Sequence, residues 1–263
     1  MSSLTDMSNV AFRHTFRFAG ARKLGTVECL APRLAQLARA AVVEAAATRF
    51  GITLEPLRGC AWRLLVQEGL AGPGCEGLAV GDHHGALVDN DGRVRTWGRG
   101  TFGTLGHGSS DNVEVPRVIE SLAMERIICV ATGDDFSMVL TAEGALYSFG
   151  WNGLSQLGLG HTNDVYVPHR VAVNGVVTTM SAGYMHAVAI TGEGSLLTWG
   201  YGGQGRLGHG NTNHCSSPTA VASTALVAKQ LTAGFSCTLV IDAEDAIWVT
   251  GSVRPGGPSS TTF

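Results

Sequence analysis

The sequence predicts an all-β fold, a partial β-propeller of four-stranded blades preceded by a small α-helical segment. Two observations carry this. First, Trp97-Gly98, Phe149-Gly150 and Trp199-Gly200 recur, and Val249-Thr250-Gly251 is a weakened fourth copy. The glycines are 52, 50 and 51 residues apart by subtraction. A period of that length marks one structural unit repeated. Second, each period holds four short strand candidates, and four-stranded sheets repeated radially make a propeller.

The elements follow in order. Residues 1–25 read as a flexible start, rich in Ser, Thr and Arg. Residues 26–75 read as a helical lead-in. Leu30, Leu34, Leu37, Ala41 and Ala45 form one apolar stripe, Pro32 suits the first turn and Gly51 the stop. A second short helix is expected over 60–68, with Trp62, Leu65 and Val66 on its apolar side. From residue 76 the helical period gives way to hairpins. Leu87-Val88 precedes the turn Asp89-Asn90-Asp91-Gly92, and Val94 to Trp97 follows it. Ala142-Glu143-Gly144, Gly192-Glu193-Gly194 and Asp242 to Asp245 repeat that turn. Its glycine takes a positive φ and its acid bonds the local backbone. Residues 252–263 read as a flexible tail.

Further fixed points surround each hairpin. A small residue and Gly lead it: Val80-Gly81, Thr132-Gly133, Ala182-Gly183 and Ala233-Gly234. A Leu-Gly-x-Gly segment follows it at Leu105–Gly108, Leu157–Gly160 and Leu207–Gly210, with Pro116, Pro168 and Pro218 farther on. The segments Ala182-Gly183-Tyr184-Met185-His186, Leu146-Tyr147-Ser148-Phe149-Gly150 and Gln156-Leu157-Gly158 together resemble the regulator of chromosome condensation repeat family. That resemblance covers residues 76–251. It implies blades from a seven-fold ring, and seven units need about 357 residues. Three arrangements are open: an arc whose edges the helical part covers, assembly with another chain through uncovered edges, or part of a longer ring.

Composition narrows the function. The net charge is −3, which gives no basic field for nucleic acid. No apolar run reaches the length of a membrane helix. The six cysteines form no CxxC pair and no zinc spacing. The Leu-Gly-x-Gly segments sit outside any strand–helix phosphate-loop context and recur with the blade, so they are framework. No nucleophile elbow is present. His84 and His186 share their register position with Phe136 and Cys237, which predicts half-buried packing at that position.

A non-enzymatic protein-interaction module, without cofactor, metal or small-molecule substrate, is therefore expected, in cytoplasm or nucleus. Residues that differ between copies at one frame position are where binding separates from scaffold. These are Asp134, Asp135, Tyr184, Met185 and Phe235 before the second strand, and Arg99, Phe102, Trp151, Asn152 and Tyr201 after the aromatic-Gly pair. The family resemblance implies two sharper partners, a small GTPase undergoing nucleotide exchange or a ubiquitin-ligase component. The stretch 29–51 is similar to an F-box lead-in, which fits the second.

Overall fold

The computed structural model describes residues 77–222, 226–253 and 259–263. The helices expected over 26–75 lie outside these residues.

Among the described residues, fifteen strands form four antiparallel sheets, each a meander in chain order. Blade 1 contains β1 (Leu78–Val80), β2 (His84–Val88), β3 (Val94–Gly98) and β4 (Val113–Val118). Blade 2 contains β5 (Ile127–Thr132), β6 (Phe136–Thr141), β7 (Leu146–Gly150) and β8 (Val165–Arg170). Blade 3 contains β9 (Val177–Ala182), β10 (His186–Thr191), β11 (Leu196–Gly200) and β12 (Cys215–Ala220). Blade 4 contains β13 (Ala228–Ala233), β14 (Cys237–Asp242) and β15 (Ile247–Gly251). The first strands of neighbouring blades meet in succession, β1 with β5, β5 with β9, and β9 with β13. This is the partial propeller that the 51-residue period predicts.

Burial explains the strand sequences. The second strands β6 and β10 are buried at every residue, because blades cover both of their faces. They read as continuous runs, Phe136-Ser137-Met138-Val139-Leu140 and His186-Ala187-Val188-Ala189-Ile190, rather than alternating ones. The fourth strands are mostly exposed, and each carries its proline there, where a missing N–H costs an edge strand little. One core cluster runs through blades 1 to 3 and includes Phe136, Met138, Leu140, Phe149 and Trp199. A second holds Ile190, Leu196, Leu226, Ala228 and Val240 at the junction of blades 3 and 4.

Polar bolts join the blades. His84 Nε2 lies 2.7 Å from Ser137 Oγ of the next blade, and that hydroxyl donates to the Thr104 carbonyl of blade 1 at 2.8 Å. The hydroxyl has one proton, so the ring N–H of His84 must donate to it. His186, Thr238 and the Arg206 carbonyl repeat the arrangement between blades 3 and 4. Between blades 2 and 3 the matching pair is apolar, Phe136 and Ala187. Both histidines are fully buried, deeper than the sequence pattern predicts, and hydrogen-bonded rather than merely packed. A Cβ on Gly183 would lie 2.3 Å from His186 Cε1 and 2.6 Å from the Gly234 carbonyl, so the Gly three residues before the ring makes room for it.

Residues 259–263, expected within a flexible tail, are instead placed on blade 4. Ser260 pairs with Gly251 through two backbone hydrogen bonds, and His209 bridges to Thr262.

Candidate protein-interaction face

In a four-stranded meander the turn between strands one and two and the loop between strands three and four fall at the same end. Backbone bonds lock them together here. Arg99 N–H donates to the His83 carbonyl, Trp151 to Asp135, Tyr201 to Met185 and Ser252 to Ser236, at 2.8–2.9 Å. Both sets of variable residues therefore reach one end of the blades. The acidic hairpin turns lie at the other end.

The inner turns divide by chemistry. Blades 1 and 2 present Asp82, His83, Asp134 and Asp135. Blades 3 and 4 present Tyr184, Met185 and Phe235. The Asp134 N–H donates to the Tyr184 carbonyl and the Tyr184 N–H to the Gly234 carbonyl, both at 3.2 Å, so the turns of blades 2, 3 and 4 are linked in succession. Tyr184 and Phe235 stack with ring centroids 4.1 Å apart and planes 24° apart. Phe235 is 58% exposed. Burial, followed by the nearby Asp134 charge, pushes the Asp135 carboxyl up from its usual range. The same two causes in the same order push the Tyr184 phenol up.

The outer loops add a second tier. Arg99 is exposed and its Nε donates to Thr101 Oγ1 at 2.8 Å. Phe102 and Trp151 tilt toward each other across blades 1 and 2 with centroids 6.4 Å apart. Phe102 holds a left-handed φ of 61°, which is strained for a bulky residue. Tyr201 lies against His214 at 4.8 Å and beneath the Arg206 guanidinium at 4.6 Å. Asn152 stands apart from the other nominated residues. It is fully buried, its amide donates to the His161 carbonyl and its oxygen accepts from Leu157 N–H. Its side chain shapes the loop and does not reach the surface.

Arg206, which the variable-position argument passes over, connects the two tiers. Its guanidinium donates to the carbonyls of Gly203 and Phe235, to Gln204 Oε1 and to Ser236 Oγ. It thereby fixes the backbone of Phe235 and the ring of Tyr201 at once. The available signal was that Arg206 stands where the second unit has Gln156. Asp82 was equally legible, as the first-unit counterpart of Asp134. Among the described residues, no group of three or more His, Cys, Asp or Glu side chains is placed to hold a metal ion. No described helix is long and apolar enough to cross a membrane.

The profile of the regulator of chromosome condensation (RCC1) repeat matches residues 91–140, 143–190 and 193–241, more than half of the chain. The chain belongs to the RCC1 repeat family. A second profile of that repeat matches 77–104 and 127–156. Among RCC1-repeat proteins, Protein RCC2 of Homo sapiens is 40% identical over 102 residues, which are 38% of this chain and 20% of RCC2. The ultraviolet-B receptor UVR8 of Arabidopsis thaliana is 35% identical over 114 residues, 43% of this chain and 26% of the receptor. The E3 ubiquitin-protein ligase HERC2 of Homo sapiens is 34% identical over 124 residues, 46% of this chain and 3% of the ligase. The matched stretches thus span about a quarter or less of these relatives. The solved structure of human WBSCR16 superposes with a TM-score of 0.64 at 23% identity, covering 70% of this chain and 51% of that one. Yeast RCC1 (Prp20), solved bound to Kap60, gives 0.61 at 21%, covering 70% and 47%. These two likenesses show the fold.

Proposed function

We propose that this RCC1-repeat chain is a non-enzymatic protein-interaction scaffold that engages its partner through the end of the blades bearing Asp134, Asp135, Tyr184 and Phe235. The carrying observation is the stack of half-buried Tyr184 on exposed Phe235 beside the Asp82, Asp134 and Asp135 turns. A partly exposed aromatic pair flanked by charge is the composition of a binding hot spot. The framework supports this reading, since the repeated residues are used in packing and inter-blade bonds. Cytoplasm or nucleus is the compartment that fits a partner-binding propeller of this composition.

Substrate recognition in ubiquitin ligation is the second reading, favoured by the likeness to HERC2. Nucleotide exchange on a small GTPase is the third. The experiment is binding of the purified chain to a panel of small GTPases, nucleotide-free and loaded, and to ubiquitin-ligase adaptors, with Phe235→Ala and Asp134→Arg as matched variants. Binding that both variants abolish supports the face. Binding that survives both removes it, and accelerated nucleotide release would move the third reading to first place.

A further inference from the structure

Among the described residues the fourth blade has three strands of its own, and residues 260–262 stand at its outer-strand position. Three relationships in blades 1 to 3 define that position. In the first, the glycine ending strand three pairs with the start of strand four: Gly98 with Val113, Gly150 with Val165, Gly200 with Cys215. Gly251 pairs with Ser260 in the same way. In the second, the last glycine of a Leu-Gly-x-Gly segment donates to the outer strand of the next blade, Gly108 to the Tyr166 carbonyl and Gly160 to the Ser216 carbonyl. Gly210 donates to the Thr261 carbonyl at 2.7 Å. In the third, a Cβ on Gly103 would lie 2.5 Å from Tyr166 Cα, and one on Gly205 would lie 2.6 Å from Thr261 Cα. Residues 260–262 thus occupy the register of residues 165–167. They arrive early. Gly200 and Cys215 are 15 positions apart, whereas Gly251 and Ser260 are 9 apart by subtraction.

A fourth relationship departs from the pattern. The first glycine of each Leu-Gly-x-Gly segment is covered by an aromatic ring of the next blade. A Cβ on Gly106 would lie 2.9 Å from the Phe149 ring, and one on Gly158 would lie 2.7 Å from Trp199 Nε1. Blade 4 has Thr250 at that aromatic position, and only its Cγ2 methyl reaches toward Gly208, 3.4 Å from where a Cβ would stand. The ring that covers Gly208 is that of Phe263, 2.5 Å from where a Gly208 Cβ would stand. Phe263 is half-buried and packs on the cluster of Ile190, Leu196 and Val240.

We infer that blade 4 carries a strand-acceptor slot latched in cis by residues 259–263, with Phe263 supplying the aromatic ring that Thr250 lacks. The latch couples blade 4 to the Leu207–Gly210 loop of blade 3. The ligand class of the slot is an extended segment with an aromatic residue three positions after the one paired with Gly251.

Hydrogen exchange on the full chain tests this, with β5–β8 as internal reference. Phe263→Ala is expected to speed exchange of the β13–β15 amides and of Gly210 by roughly tenfold or more, leaving β5–β8 unchanged. Ser260→Pro, which removes the N–H donated to Gly251, is expected to do the same at β15. Phe263→Trp is expected to keep parental protection. Unchanged exchange in Phe263→Ala would overturn the latch. So would acceleration spread evenly over all four blades, or a Phe263→Trp chain as unprotected as Phe263→Ala.

Discussion

Ser137 and Trp199 perform the same bond from different strands. Each donates to the carbonyl that precedes the Leu-Gly-x-Gly segment of the blade before it, Ser137 Oγ to Thr104 at 2.8 Å and Trp199 Nε1 to Gln156 at 3.0 Å. Where Ser137 donates, the aromatic position holds Phe149, which has no donor. Where Trp199 donates, the position equivalent to Ser137 holds Ala187, which has none either. The buried carbonyl is satisfied at each joint by whichever side chain can reach it. Trp199→Phe is therefore expected to cost about 1–3 kcal/mol, the cost of an orphaned buried acceptor. Adding Ala187→Ser should recover part of it, by urea denaturation.

The His84 bolt sets an acid limit. Burial, then the neighbouring His83, lowers its pKa to about 4. An unfolded chain binds a proton at this ring near pH 6.5. Above that pH the ring is neutral in both states and costs nothing. As pH falls from 6.5 toward 4 only the unfolded state takes up the proton, so stability declines, then levels off below 4. The full swing is about 3 kcal/mol. His84→Phe with Ser137→Ala copies the Phe136 and Ala187 pair of the next joint. Denaturation midpoints measured from pH 7 to 4 should fall less steeply in that variant than in the parent.

Arg206 holds the face by geometry as well as charge. Arg206→Lys keeps the charge and loses the fork that reaches Gly203, Phe235 and Ser236 together. The expected cost is about 1–3 kcal/mol in urea, from buried acceptors left unpaired. Partner affinity should drop alongside, because the Phe235 backbone and Tyr201 ring lose their shared support.

Phe235 separates binding from folding. With 58% of its surface exposed and its ring stacked on Tyr184, Phe235→Ala should cost stability about 1 kcal/mol or less. As a hot-spot aromatic it should cost binding about 2 kcal/mol or more. Thermal denaturation and calorimetric titration on the same sample check both halves.

The blades were legible in the sequence because their glycines and turn acids answer local demands. Gly98 ends a strand and Asp89 bonds the backbone of Asp91 and Arg93 whichever neighbours surround them. The inter-blade bolts were not legible. Ser137 and Trp199 stand in different strands, and their equivalence lies in a shared acceptor rather than a shared register. The same holds for Phe263, whose ring replaces one missing at Thr250, thirteen residues earlier by subtraction. Among the nominated face residues, variability between copies picked out Phe235, which is exposed, and Tyr184, which is half-buried against it. It could not tell them from Asn152, whose side chain varies with its own loop and points inward.

The central claim is that one end of the blades meets the partner. Site-specific photocrosslinking tests it most directly, with a benzoylphenylalanine placed singly at Phe235, Tyr201 and Phe102, and at Glu143 and Glu193 in the opposite turns. The account predicts one and the same crosslinked partner from the first three positions, lost when Asp134→Arg is added, and none from the two turns. Crosslinks from Glu143 and Glu193 but not from Phe235 would contradict it.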